Sequence, residues 1–244
     1  SSGFSPPTSE EIRTSDGGIN DNLEAERGIN YEAGFRGDAL KERLVFDITV
    51  FWMQQLETIV SRTTDGGAVV FENAGSTSQA GLELLVAYTF VKNPVGFLRL
   101  LRIQNAVTHH QFTFKDYVKS AAGENVDYSG NALTGTSPNI SVTTLDMEFK
   151  PGFYINGTWN FTDRIPLNDA NTVYAESYNL ITLKAGFKTV LKDRHLADIF
   201  FGVDNLLDVT YSLGNDLNAF GGRYFNAAPA RNYFGGISFS LNKY

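Results

Sequence analysis

The residue types able to do chemistry are few in this chain, and their spacing rules out most of what they could do. His109 and His110 are adjacent, and neighbouring side chains of an extended segment point to opposite faces, so the two rings cannot grip one metal ion. A structural or lumen-facing role suits them better. Asp204, Asn205 and Asp208 lack the spaced ligands and central glycine of a calcium loop, and suit a strand end and its turn instead. With no Cys in 244 residues, thiolate metal centres, iron–sulfur clusters and cysteine nucleophiles are excluded. There is no Gly-x-Ser-x-Gly elbow, no His-Glu-x-x-His helix and no phosphate-cradling glycine loop. No carboxylate pair stands out as an acid–base couple, so the sequence points away from an enzyme and assigns no catalytic residue, metal ligand or cofactor.

What remains is a binding chemistry. Tyr211, Phe220, Arg223, Tyr224 and Phe225 fall in the longest Gly/Asn-rich stretch, and an arginine among aromatic rings matches an anionic, partly aromatic ligand. Tyr128, beside Asp127, offers a second candidate in another such stretch. The competing use of these rings is to pack their own loops. Three triplets (Asn139-Ile140-Ser141, Asn156-Gly157-Thr158 and Asn160-Phe161-Thr162) match the glycosylation formula, but two lie inside an expected strand and are discounted.

The elements that must position these residues are strands, because the hydrophobic period is two. Phe153, Ile155, Gly157, Trp159 and Phe161 share one face, with Tyr154, Asn156, Thr158, Asn160 and Thr162 on the other. Leu44, Phe46, Ile48, Val50 and Trp52 repeat the pattern, as do Leu82 to Phe90, Ile181 to Phe187, and Ile237, Phe239 and Leu241. About nine such segments are expected. Their connections alternate in length. Short turns fall at Gly37 to Leu40, Lys92 to Gly96, Lys150 to Gly152 and Lys192 to His195. Long polar stretches fall around Thr64 to Ala68, Ser120 to Pro138, Asp163 to Ala175 and Asp208 to Pro229. Long connections confined to one end predict an outer-membrane barrel, with tight turns at the periplasmic end and long loops outside. Trp52 and Trp159, with Tyr88, Tyr178 and Phe90, are then expected in interfacial aromatic girdles.

Composition agrees. Apolar residues make up 42% and aromatics 13%, against 19% charged, which excludes a disordered chain. A net charge of −7 leaves no basic footprint for nucleic acid. The opening residues Ser1 to Thr8 form no signal peptide, and no apolar run is long enough for a spanning helix, a limit that does not touch barrel strands. If the last strand descends to the periplasm, nine strands make the first descend too, which places Ser1 to Arg27 in an extracellular loop. The sequence reads as the C-terminal part of a longer barrel. Tyr244, at the end, is out of step with Ile237, Phe239 and Leu241, implying a short tail or a bulge.

Four stretches resemble the C-terminal barrel region of TonB-dependent outer-membrane receptors. They are Gly3-Phe4-Ser5-Pro6-Pro7-Thr8 with Glu10-Glu11-Ile12-Arg13 and the strand Glu26 to Gly37; Asn73-Ala74-Gly75 followed by Gly81-Leu82-Glu83-Leu84; Gly202 to Asp208 with Tyr211; and Pro229 to Phe239. The resemblance covers essentially the whole chain in order. It implies an all-β fold: an antiparallel transmembrane β-barrel of 22 strands around a plug, of which about nine would lie here. On that reading residues 1–27 are an extracellular loop segment and 28–244 the C-terminal part of the barrel. It implies a bacterial outer-membrane location, lipid around the wall, and import of a ferric siderophore or similar scarce metal chelate. Energy would come from the TonB complex, through a plug and TonB box that these residues do not include. Vitamin B12, haem and glycans stay open as ligands. Two other readings are a passive porin or adhesin barrel and a secreted carbohydrate-binding β-sandwich. The last would leave the one-sided loops unexplained and apolar faces exposed to water.

Overall fold

A computed structural model describes residues 1–15, 17–63, 68–73, 75–121, 124–191 and 195–241, with the backbone alone at 61–63, 120, 121 and 124. In chain order the strands are β1 (Ser2–Ser5), β2 (Glu26–Ala39), β3 (Leu44–Leu56), β4 (Ile59–Thr63), β5 (Val69–Asn73), β6 (Ser76–Lys92), β7 (Leu98–Asp116) and β8 (Val118–Ala121). They continue as β9 (Glu124–Asp127), β10 (Asn139–Phe149), β11 (Phe153–Thr162), β12 (Ile165–Pro166), β13 (Tyr174–Ala175), β14 (Tyr178–Leu191), β15 (His195–Asp204) and β16 (Asn232–Ser240). One short helix, α1 (Ser9–Ile12), is closed by a capping box between Thr8 and Glu11. Among the described residues no helix is long and apolar enough to cross a membrane.

Ten strands form one antiparallel sheet in the order β1-β2-β3-β6-β7-β10-β11-β14-β15-β16, each beside the next long strand in sequence. Nine are the strands that alternation predicts. The tenth, β1, corrects the expectation that residues 1–27 are loop throughout: Ser2 pairs with Ile29 and Ser5 with Glu26. Four residues are too few to show an alternation. The remaining strands are hairpins inside the long connections, β4 with β5, β8 with β9 and β12 with β13. Every long connection (6–25, 57–75, 117–138, 163–177 and 205–231) therefore lies at one end, and the described tight turns at the other. The turn after β2 uses left-handed backbone at Leu40, Lys41 and Glu42. Of the turn expected at Lys192 to His195, residues 192–194 lie outside the described residues, as do most of the stretch from Thr64, Ala74, and Tyr244 with its register question.

Register puts the expected faces where the alternation placed them. On the outer face Ile155 lies between Met147 and Ala185, Trp159 between Thr143 and Ile181, and Ile199 opposite Ile237. On the inner face Asn156 lies between Asp146 and Lys184, and its amide donates to the Asp146 carboxylate over 2.6 Å. Aromatic residues mark two levels of the outer face. Toward the loops, Tyr31 stacks on Trp52 at 5.7 Å and Phe201 on Tyr233 at 6.0 Å, with Trp159 alongside. Toward the turns sit Phe35 with Phe46, Tyr88 with Phe90, Phe97 with Phe149, and Phe153 with Phe187. Trp159 and Phe153 are six residues apart on β11, roughly 20 Å at about 3.3 Å per residue, which suits an apolar band about 25 Å tall. Tyr178 departs from the expectation: paired with Thr162, it belongs to the inner face and packs on Tyr211.

On that inner face, rings lie over glycines directly across from them. A Cβ at Gly186 would fall 2.4 Å from the Tyr154 hydroxyl, and one at Gly202 2.3 Å from the Phe234 ring. Glycine at these positions lets neighbouring strands close under bulky rings.

Candidate ligand-binding site

The loop end is built, not merely connected. Loop 117–138 runs back along the top of β7: Phe114 N–H donates to the Asn131 carbonyl, Leu133 N–H to that of Phe112, and His110 N–H to that of Pro138. Phe114, with no exposed surface, packs on Tyr117 at 4.8 Å, and Val60, Tyr128 and Leu133 close around them. Tyr128 is thus a packing residue of its loop, 5.5 Å from the Tyr117 ring. Beside it, the Ser129 hydroxyl and N–H both bond the Asp127 carboxylate and hold its pKa below the usual 3.8.

Asp169, 2% exposed, joins three loops. Its carboxylate accepts from the hydroxyls of Thr134 (2.6 Å) and Tyr117 (3.2 Å) and from the Asn218 amide (3.2 Å). Its own N–H donates to Asn218 Oδ1, and its carbonyl accepts from Asn131 at 2.7 Å. A buried carboxylate is costly unless its oxygens are engaged, and three donors on two other loops engage them here. Next to it Leu167 is fully buried, and Asn218 N–H donates to its carbonyl.

The residues of loop 205–231 divide. Tyr211 packs on Tyr178 at 4.8 Å, lining the inner side of the loop base. Phe220, Arg223 and Phe225 are exposed, and Tyr224 is half-buried, edge-on to Phe225 at 6.4 Å. The structure thus brings Tyr224 and Phe225 together and leaves Tyr128 in a different loop's core. Asp204, Asn205 and Asp208 shape the corner after β15. The Asn205 side chain brackets Val209, Asp208 accepts from Arg231 N–H at 3.0 Å, and Asn205 and Asp208 both adopt positive φ. His109 and His110 face opposite ways as expected. His109 Nδ1 lies 2.8 Å from Asn139 Oδ1, whereas His110 stacks on Phe112 at 4.5 Å.

Beneath the loops a cleft of about 240 Å³ is lined by His110, Phe112, Thr136, Arg164, Pro166 and Tyr174. The Arg164 guanidinium sits 4.7 Å over the Tyr174 ring, and Phe51 stands edge-on to both His110 and Phe112. Except for His110, for which the sequence favoured a structural or lumen-facing role over half of a metal pair, these residues were not among the sequence candidates. They come from three separate stretches and share no local motif. Lower on the inner wall Tyr154 donates to Asp198 at 3.0 Å, while Lys184 and Lys188 lie over aromatic rings, contacts that hold strands β11, β14 and β15 to one another.

An up-and-down sheet, apolar outside and polar inside, with aromatic levels at both rims and a loop cap at one end, defines a wall segment of a transmembrane β-barrel. The family model described as TonB dependent receptor-like, beta-barrel matches residues 1–206, and the chain belongs to this family of bacterial outer-membrane receptors. Three solved structures share the fold. The siderophore receptor PiuA from Acinetobacter baumannii is 18% identical with a TM-score of 0.69, over 92% of this chain and 30% of that one. The ferric-catecholate import receptor Fiu from K12 E. coli is 16% identical with a TM-score of 0.68, over 98% and 31%. The copper transporter OprC is 14% identical with a TM-score of 0.70, over 97% and 35%. The chain thus spans about a third of the length of the structures it matches. Its family is one of receptors.

Proposed function

We propose that the protein carrying this chain binds a metal chelate, foremost a ferric siderophore, at the loop end and imports it across the outer membrane with energy from the TonB system. The carrying observation is the cap itself: three long loops bonded through Asp169 over a cleft that combines an arginine with aromatic rings. Such a combination suits an anionic ligand with planar parts. Siderophore, ferric-catecholate and copper transport in the similar structures point to the same class of cargo. The ten-stranded sheet, β1 included, acts as part of the barrel, against lipid, and the TonB complex engages the protein through its N-terminal part. Exposed Phe220, Arg223 and Phe225, with Tyr224, meet the ligand first at the rim, and Tyr211 lies deeper. Tyr128 contributes by holding its loop.

The test is uptake of radiolabelled iron, supplied as a panel of ferric chelates, by source cells with and without the gene. Loss of uptake of at least one chelate on deletion, together with dependence on TonB, is expected. Unchanged uptake of every chelate sinks the reading.

A further inference from the structure

The cleft under the loops is small. A cavity of about 150 Å³ holds one benzene ring, and sites for drug-sized molecules start near 300 Å³. At about 240 Å³ this cleft takes a single substituted ring, not a whole chelate. Its lining has a matching polarity. The His110–Phe112 stack, 20° from parallel, offers a flat aromatic surface, and Phe51 braces it edge-on. The Ser137 carbonyl lies 3.2 Å from His110 Nδ1 and fixes the ring. Arg164 supplies the cation. Its carboxylate neighbour Asp163 is occupied by the Asn139 amide at 2.8 Å and by Arg164's own N–H at 2.8 Å, and the guanidinium lies over the Tyr174 ring.

We infer that this cleft is a subsite for one planar anionic aryl arm of the chelate, a phenolate or catecholate carried on a larger metal complex. The aryl plane lies against the His110–Phe112 stack, and Arg164 receives the negative oxygens. The cap positions the subsite, because Thr134, two residues before Thr136, is tied to Asp169, and Gly135 N–H donates to the Pro166 carbonyl. A guanidinium on an anionic oxygen and a planar stack on an aryl face both favour such an arm over an aliphatic hydroxamate. This inference rests on the proposed function and narrows its ligand.

The experiment measures binding of two iron-loaded probes, ferric 2,3-dihydroxybenzoate and ferric citrate, to native outer-membrane vesicles containing the whole protein. Arg164→Gln and Phe112→Leu are compared with wild type, and each variant's fold is checked by its unchanged migration shift on boiling. Tight binding of ferric dihydroxybenzoate by wild type is expected, weakened about tenfold or more by Arg164→Gln and several-fold by Phe112→Leu. Equal binding by wild type and both variants overturns the inference. So does a wild type that binds ferric citrate but not ferric dihydroxybenzoate, which leaves the chelate-import reading standing. Binding of neither probe by wild type, with no uptake of any ferric chelate by the cells, removes both.

Discussion

The loop cap and the strand wall of this molecule are held together by opposite arrangements of the same residue types. In the cap, Phe114 and Leu167 are fully buried, Tyr117 is 3% exposed, and even the charged Asp169 is enclosed. Apolar groups on the inside are the arrangement usual for a fold surrounded by water. In the wall, large apolar side chains face outward, with Phe201 60%, Ile237 66% and Phe239 66% exposed, and polar groups such as Asn156, Asp146 and Thr158 face in. The burial that stabilises the cap comes from the chain itself, whereas that of the outer wall comes from lipid. Cap and wall should therefore respond to different perturbations.

The largest effect is expected inside the cap. Phe114→Ala removes a ring with no exposed surface and leaves a hole against Tyr117, at a cost of about 3–5 kcal/mol. Limited proteolysis of intact membranes should cut loop 117–138 rapidly in this variant, while the wall keeps its resistance to detergent. Cleavage no faster than in wild type would erase the distinction between cap and wall. The reciprocal change is Ile237→Arg, near the middle of β16 on the outer face, expected to cost about 2–4 kcal/mol in a bilayer. Its neighbour Ser238 faces inward opposite Asp198, so Ser238→Arg should stay within about 1 kcal/mol. Urea unfolding in lipid vesicles reads both. Equal losses at the two positions would mean that the faces have been assigned wrongly.

Asp169→Ala sharpens the picture of the cap as a unit. The hydroxyls of Tyr117 and Thr134 and the Asn218 amide would lose their acceptor, a loss of about 2–3 kcal/mol shared over the loops they tie. Hydrogen exchange should rise together in 117–138, 163–177 and 205–231 and stay unchanged in β14 and β15. A rise confined to 163–177 would show that the loops move independently.

This contrast also explains what could be read from the sequence. The wall was legible because a period of two is a local property. Phe153, Ile155, Gly157, Trp159 and Phe161 announce their face without reference to any partner, and the paired strands keep them there. The one-ended distribution of long loops was legible for the same reason, through runs of Gly, Asn, Ser and Asp. The cap was not. Tyr117 and Asp169 are 52 residues apart, Asp169 and Asn218 are 49 apart, and no local pattern brings them together. The aromatic candidates illustrate both outcomes. Tyr178 is aromatic at a strand end, as a girdle residue would be, yet its pairing with Thr162 turns it inward. Arg223 stood out for its aromatic neighbours in sequence, whereas Arg164 meets Tyr174 only through the β12–β13 hairpin.

The smallest effect expected is a pH response within the cap, and its sign follows from one turn. Two hydrogen bonds from Ser129 to Asp127 favour the ionised carboxylate, so its folded-state pKa lies below the 3.8 of an unconstrained aspartate. The stabilisation is therefore fully present above that value and is lost as pH falls through the lower, folded-state pKa. The group is fully exposed, so water screens the interaction and the loss should loosen only the turn from Asp127 to Gly130. Titration of the cap by hydrogen exchange should show this turn opening at acid pH while Phe114 and Tyr117 stay protected. Ser129→Ala should raise the Asp127 pKa and shift the opening to higher pH. A turn whose opening midpoint does not move in Ser129→Ala would show that Asp127 is not its determinant, and that the apolar packing of Tyr128 on Tyr117 holds this part of the cap unaided.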